Sequence, residues 1–136
     1  MKILIIDQND FQTQTRAALI RDIPNHEVYV IDNVDDLKHE YKKDKYDIVV
    51  IDFDNKNEQG CIGKRCLDVV DAIDPMQRVI TLSASNDYSD PNGCEHCVSN
   101  HRRRRLNKPT PLHNLVRMID GFDGYTCDHF HIDEVR

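Results

Sequence analysis

Short apolar runs, rich in β-branched residues, alternate along the chain with longer segments in which apolar residues recur at helical spacing. The apolar runs predict five strands, at residues 2–6, 26–31, 47–51, 78–82 and 104–107. The longer segments predict four helices: one that starts near residue 11 and is stopped by Pro24 and Asn25, and three at residues 34–42, 62–73 and 111–119. This alternation is typical of repeated βα units, so it predicts an α/β fold built on one parallel sheet.

Two stretches depart from the alternation. Between residues 85 and 101, where a further helix would fall, turn-forming residues are concentrated, among them Pro91, Asn92 and Gly93. We therefore predict an irregular region there, with room only for a short helix. Residues 123–136 are predicted to be a C-terminal tail or the start of a linker, which leaves one domain at residues 1–122.

Composition limits the classes of function. A chain of 136 residues with 39% hydrophobic content is long enough for one domain with a substantial core. Its formal net charge of -6 argues against nucleic acid or an acidic membrane as the partner of the whole surface. No apolar run approaches the roughly 20 residues that span a bilayer, and no signal-peptide pattern follows Met1. We therefore expect a cytoplasmic protein, whose five cysteines are thiols or metal ligands rather than disulfides.

Polar residues stand at the downstream ends of four predicted strands. They are Asp7, Asp52, Ser83 and, in a Lys-Pro pair, Lys108. Taken singly, each has a common structural explanation, because an aspartate often caps a helix or forms a turn and a serine or lysine often lies in a surface loop. In an open parallel sheet, however, ligands bind at the carboxyl ends of the strands, so these four side chains are predicted to converge on one site.

The order and spacing of these segments resemble the receiver domain of bacterial two-component response regulators. The resemblance covers residues 1–122 and rests on the apolar runs that end at Asp7 and Asp52, the run that ends at Ser83-Ala84, and the pair Lys108-Pro109. It implies a doubly wound, flavodoxin-like fold in which five parallel strands take the order 2-1-3-4-5.

The resemblance also implies a role for each polar residue. Asp52 would accept a phosphoryl group from a sensor histidine kinase, and Mg²⁺ would be held by Asp7, Asp52 and the main-chain carbonyl of Asp54, which are oxygen ligands of the kind this cation prefers. Lys108 would pair with the phosphoryl group. Ser83 would donate its hydroxyl to it and so bias the fold between two states. The expected function is that of a phosphoryl acceptor that switches a protein-interaction surface, rather than that of an enzyme.

Three positions depart from the family pattern. Gln8 replaces the second acid that usually follows Asp7, the loop after Asp52 lacks the usual proline, and Arg105 replaces an aromatic residue whose rotamer reports phosphorylation. A neutral amide adds no charge to a metal site, so Gln8 is expected to weaken both Mg²⁺ binding and phosphotransfer. The alternative function is a receiver-like interaction module that works without phosphorylation and is controlled by metal, thiol redox state or partner binding.

Four of the cysteines form a second candidate site. Cys94 and Cys97 have the Cys-x-x-Cys spacing of zinc knuckles. Cys61 and Cys66 follow the neighbouring third strand and would lie at the same edge of the sheet. The four thiols could bind structural Zn²⁺, with a histidine in place of one of them. They could also contain a redox-active pair or remain unliganded, and the sequence leaves these alternatives open.

A compact run of positive charge, residues 102–105, overlaps the fifth predicted strand. In the receiver family, the face formed by the fourth helix, fifth strand and fifth helix contacts an effector or a second copy of the domain. The resemblance therefore implies an output face that includes Arg103 and Arg105 and binds a downstream effector protein or forms a self-dimer. Direct DNA binding by four arginines alone would be weak and strongly dependent on salt.

Overall fold

The computed structural model describes residues 1–8, 11–23, 25–54, 56–57, 60–83, 102–108 and 111–122. The main strands are β1 (Lys2–Ile6), β2 (Glu27–Ile31), β3 (Ile48–Asp52), β4 (Arg78–Ser83) and β5 (Arg103–Asn107). The helices are α1 (Phe11–Arg21), α2 (Val34–Glu40), α3 (Ile62–Ile73) and a last helix (Leu112–Asp120). A short antiparallel pair, Lys56–Asn57 with Gly60–Cys61, lies in the loop between β3 and α3.

The five main strands form one sheet in which every neighbouring pair is parallel. Their order is β2-β1-β3-β4-β5, which confirms the predicted fold class and strand order. In register, Asp52 lies opposite Leu82 and Ser83 lies opposite Asn107. The downstream ends of the strands therefore meet at one edge of the sheet.

The central strand β3 is buried along its whole length. Its residues alternate between the two faces, because successive side chains of a strand point in opposite directions. Ile48 and Val50 join the core cluster of α1 and the last helix, whereas Val49 and Ile51 join the cluster of α2 and α3. A strand covered on both faces needs apolar side chains at every position, which explains the uninterrupted apolar run.

The second helix is shorter than predicted. Asn33 caps its start by accepting a hydrogen bond from the Asp36 main-chain N–H at 2.7 Å. The helix was predicted to continue to residue 42, but it ends at Glu40 because Tyr41 leaves it in an extended conformation. The Tyr41 side chain is buried, and its hydroxyl lies 2.6 Å from Oε1 of Gln77.

Within the described ranges, no helix combines the length and the apolar character needed to cross a membrane. The longest of them, α3, has 12 residues. The predictions for the irregular region at residues 85–101 and for the tail at residues 123–136 fall outside the described residues.

The arginines of β5 are buried, which corrects the expectation of an exposed output patch. The side chains of Arg103 and Arg105 are only 2% and 1% exposed. Arg103 reaches α3, where it donates hydrogen bonds to the Asp71 carboxylate and to the main-chain oxygen of Pro75. Arg105 lies on the same face of the strand, two residues further on. Neither side chain is available to contact an effector or a second copy in this conformation.

Candidate functional site

The four polar residues predicted to converge do so at the carboxyl edge of the sheet. Asp52 and Ser83 are the last residues of β3 and β4, while Asp7 and Lys108 directly follow β1 and β5. Main-chain hydrogen bonds extend the sheet into this edge: the Lys108 N–H donates to the Ser83 oxygen at 3.0 Å, and the Asp7 N–H donates to the Ile31 oxygen at 3.1 Å. The sheet itself therefore fixes the positions from which these side chains project.

Asp52 is held between two hydrogen-bond donors. Lys108 Nζ lies 2.7 Å from its Oδ2, and the main-chain N–H of Asp54 donates to its Oδ1 at 2.7 Å. Burial lowers the pKa of Lys108, but the hydrogen bond and charge of Asp52, followed by those of Asp54, outweigh burial and raise it. The lysine therefore stays protonated and brings a permanent positive charge to the Asp52 carboxylate.

Asp7 carries a negative charge at a position where that charge is unfavourable. Burial raises its pKa most, and the charge of nearby Asp52 adds to the effect, so that the pKa reaches about 6. Two donors partly offset this: the Gln8 main-chain N–H, 2.7 Å from Oδ1, and Nη1 of Arg16, 3.3 Å from Oδ2. The site thus contains two mutually repelling carboxylates.

Two charged side chains of the site were not predicted from the sequence. Asp54 was expected to contribute only its main-chain carbonyl, but its carboxylate accepts a hydrogen bond from Ser83 Oγ at 3.2 Å and lies 3.3 Å from Lys108 Nζ. Its position two residues after Asp52 was a usable signal, because an aspartate side chain often accepts a hydrogen bond from the main chain two residues on, which brings that residue beside it. Arg16 carried no comparable signal, since nothing in the pattern of α1 distinguishes it from a surface arginine.

These residues enclose a cleft of about 210 Å³. Its lining comes from the strand ends and from the first turns of α1: Asp7, Gln8, Gln12, Thr13, Arg16, Asp52, Asp54 and Lys108. A cleft that combines carboxylates with a lysine is suited to a phosphoryl group accompanied by a divalent cation.

The residues present fit Mg²⁺. Among the described residues, no three acidic, histidine or cysteine side chains form a ready metal cluster, and the Asp54 carboxylate is engaged with Ser83 and Lys108. Mg²⁺ needs only one or two carboxylates, because it keeps several of its waters. Asp7 and Asp52 supply two, and a divalent cation relieves the repulsion that raises the pKa of Asp7. They would hold the ion, with the Asp54 carbonyl as a further oxygen ligand.

The structure describes two of the four cysteines of the predicted site, Cys61 and Cys66. Cys66 is fully buried in the core cluster of α2 and α3, and burial raises its pKa to about 11. A thiol kept protonated in an apolar core is a poor metal ligand and a poor redox group. Cys61 instead caps α3, where its Sγ accepts a hydrogen bond from the Lys64 N–H at 3.4 Å. Cys94 and Cys97 lie outside the described residues.

Comparison with known proteins identifies the fold. No protein-family model and no curated protein matches the sequence. The receiver domain of the sensor histidine kinase PA1611 from Pseudomonas aeruginosa, with a magnesium ion in its active-site cleft, has a TM-score of 0.67 at 17% identity, over 91% of this chain and 98% of that chain. The receiver domain of the Francisella response regulator 1452 has a TM-score of 0.67 at 21% identity, over 88% of this chain and 93% of that one.

A further similar structure belongs to a family of redox sensors in the streptococci that evolved from two-component response regulators. It has a TM-score of 0.66 at 14% identity, over 99% of this chain and 55% of that one. At these identities the similarity establishes the fold. The chain therefore has the fold of response-regulator receiver domains.

Proposed function

We propose that this chain is a phosphoacceptor receiver domain of a two-component response regulator, with Asp52 as the acceptor. The observation that carries the proposal is the position of the Asp52 carboxylate, which lies between the Lys108 ammonium and the Asp54 N–H and beside Asp7. Asp52 is 8% exposed, and its side chain lines the cleft. It is thus fixed in orientation while remaining accessible to a phosphoryl donor.

In the proposed reaction, a carboxylate oxygen of Asp52 attacks the phosphorus of a phosphohistidine on a sensor histidine kinase. The P–N bond breaks, its electron pair leaves with the imidazole, which takes up a proton, and an acyl phosphate forms on Asp52. Lys108 stabilises the negative charge on the phosphoryl oxygens without having to reorient. Mg²⁺, when bound by Asp7 and Asp52, supplies further charge neutralisation.

The proposed output is a change at the end of β4. The Ser83 hydroxyl lies at the same edge as Asp52 and would donate to a phosphoryl oxygen, so that phosphorylation shifts the end of β4 and alters a surface for a downstream effector. The burial of Arg103 and Arg105 means that this surface is not formed by their side chains. We place the reaction in the cytoplasm, in keeping with the free thiols of Cys61 and Cys66.

Intact mass spectrometry after incubation with Mg²⁺ and acetyl phosphate tests the proposal. The wild-type chain should gain the mass of one phosphoryl group, and Asp52→Asn should not, because the amide is not a nucleophile of comparable strength. Asp68→Asn is the matched control, since this aspartate is exposed on α3, and it should be phosphorylated like the wild type. No adduct on the wild type, or an adduct that persists in Asp52→Asn, contradicts the proposal.

A second candidate is a receiver-like module that binds its partner without phosphorylation. The observation that favours it is the engagement of Ser83 and Lys108 by Asp54, because both groups already have an anionic partner. A partner whose affinity is the same for the wild type, Asp52→Asn and the phosphorylated chain would establish this function instead.

A further inference from the structure

The geometry points to Asp54 as a positioning residue whose carboxylate stands in for the phosphoryl group before phosphorylation. This inference rests on the proposed function, because it concerns the contacts that a phosphoryl group on Asp52 would make. It goes beyond it by assigning the resting state of Ser83 and Lys108 to a residue of the chain itself.

Asp54 is attached to the phosphoacceptor through its main chain and to the responding groups through its side chain. Its N–H donates to Asp52 Oδ1 at 2.7 Å, which fixes the loop after β3 against the acceptor. One oxygen of its carboxylate accepts from Ser83 Oγ at 3.2 Å, and the other lies 3.3 Å from Lys108 Nζ. A single anionic group thus bridges the two side chains that a phosphoryl group would contact.

Burial and charge explain why this bridge would set the position of both groups. Ser83 is 1% exposed, and a buried hydroxyl requires a hydrogen-bond acceptor. Lys108 divides its charge between Asp52 at 2.7 Å and Asp54 at 3.3 Å. Hydrogen bonds to an ionised acceptor are stronger than those to a neutral one, so a carboxylate holds these donors better than water or an amide would.

The Asp54 carboxylate that makes these contacts should also oppose the phosphorylation of Asp52. A phosphoryl group adds a charge of about -1.5 to -2, and on Asp52 this charge would lie close to the Asp54 carboxylate. Two negatively charged groups that lie close together in a partly buried site repel each other strongly. Phosphorylation must therefore displace the Asp54 side chain from Ser83 and Lys108, which slows the reaction.

The test compares the wild-type chain with Asp54→Ala and Asp54→Asn, using Asp68→Asn as the control. The amide resonances of Ser83 and Lys108 are followed by NMR before and after Mg²⁺ and acetyl phosphate. Without phosphate, Asp54→Ala should shift both resonances, whereas Asp54→Asn, which keeps an oxygen acceptor for Ser83 but loses the charge, should mainly shift that of Lys108. On phosphorylation, the resonances of Asp54→Ala should move back towards their wild-type positions.

The rate of phosphorylation provides a second readout in the same samples. Asp54→Ala and Asp54→Asn should both accumulate the acyl phosphate roughly tenfold faster than the wild type and Asp68→Asn, because one like charge is removed from the reacting group. Unchanged resonances of Ser83 and Lys108 in unphosphorylated Asp54→Ala overturn the inference. So does a rate that is the same in all four proteins.

Failure of the inference remains distinguishable from failure of the proposed function. If no protein in the set gains a phosphoryl group, the proposed function fails, and the comparison of the unphosphorylated proteins still decides whether Asp54 positions Ser83 and Lys108. If all four proteins are phosphorylated alike with identical spectra, the proposed function stands and the role of Asp54 is wrong.

Discussion

Buried charge is arranged in opposite ways in two regions of this molecule. At the carboxyl edge of the sheet, the carboxylates of Asp7 and Asp52 repel each other, and the pKa of Asp7 is raised to about 6 by burial and by that repulsion. Between α3 and β5, the guanidinium of Arg103 is buried among acceptors, namely the Asp71 carboxylate and the main-chain oxygens of Gln77 and Pro75.

The difference separates charge that serves a reaction from charge that holds the fold together. Around Arg103 each contact satisfies a donor, and neighbouring Gln77 continues the network by donating to the Tyr46 oxygen at 3.1 Å and accepting from the Tyr41 hydroxyl. Removal of a member should destabilise this network. At the carboxyl edge, removal of the Asp7 carboxylate should instead stabilise the fold and weaken its chemistry, as expected where a perturbed pKa marks a functional site.

Replacement of Arg103 should have the largest effect on stability. Arg103→Met keeps the apolar stem but leaves the Gln77 and Pro75 oxygens without this donor, so the free energy of unfolding should fall by about 3 kcal/mol. Urea denaturation measures the change. Asp71→Asn should cost less, because this carboxylate side chain is 45% exposed and can be resolvated. A loss as small for Arg103→Met as for Asp71→Asn would show that the network contributes little.

A methyl group at Gly63 should disturb the site through its main chain. A Cβ there would collide with the main-chain oxygen of Asp52 and would lie 2.9 Å from Cδ1 of Phe53. Gly63→Ala should therefore push the start of α3 away from β3, cost about 2 kcal/mol and slow phosphorylation of Asp52. Thermal unfolding and the acetyl phosphate assay measure the two effects, and Ala at this position with both unchanged would show that the close approach is not needed.

Removal of the Asp7 charge should stabilise the fold, whereas the substitutions at Arg103 and Gly63 should destabilise it. Because the pKa of Asp7 rises from 3.8 to about 6 on folding, the folded chain binds this proton more tightly. Its contribution to the stability of the metal-free protein should thus decrease as pH rises from about 4 to about 6. At pH 7, Asp7→Asn should raise the free energy of unfolding by on the order of 1–2 kcal/mol.

The same variant separates the two roles of Asp7. Mg²⁺ should raise the melting temperature of the wild type at neutral pH, because it binds only the folded chain, and it should have little effect on Asp7→Asn. If Asp7→Asn is less stable than the wild type, or if both proteins respond equally to Mg²⁺, the charge of Asp7 stabilises the fold, as that of Arg103 does.

The smallest effect is expected at Tyr41. Its buried hydroxyl donates to Gln77 Oε1 at 2.6 Å, so Tyr41→Phe should cost about 1 kcal/mol of unfolding free energy and leave phosphorylation of Asp52 unchanged. Urea denaturation and the acetyl phosphate assay test the two statements. A change in phosphorylation would mean that the network and the site are coupled across the sheet.

The sequence predicted the fold and the convergence of Asp7, Asp52, Ser83 and Lys108 because both depend on local patterns. An apolar run identifies a strand, and the next polar residue then lies at its end. In a parallel sheet these ends meet, so adjacent positions in space follow from strand order without knowledge of side-chain packing.

The burial of the β5 arginines depends on partners that no local pattern reveals. Asp71 lies 32 residues from Arg103 in the chain, and a run of charges is ordinarily exposed. The burial of Cys66 was easier to predict, since Ile62, Cys66 and Val70 recur every four residues on one face of α3. That spacing predicts that the Cys66 thiol lies in the core, whereas the number of cysteines in the chain suggested that it is a metal ligand.

The most direct test is to identify the carboxylate that receives the phosphoryl group. After reaction with Mg²⁺ and acetyl phosphate, borohydride reduces an aspartyl phosphate to homoserine, and peptide mass spectrometry then locates the altered residue. We expect homoserine at position 52, and none in Asp52→Asn. Homoserine at position 7 or 54, or no reduction product at any position of a chain that remains folded, would contradict the assignment of Asp52 as phosphoacceptor.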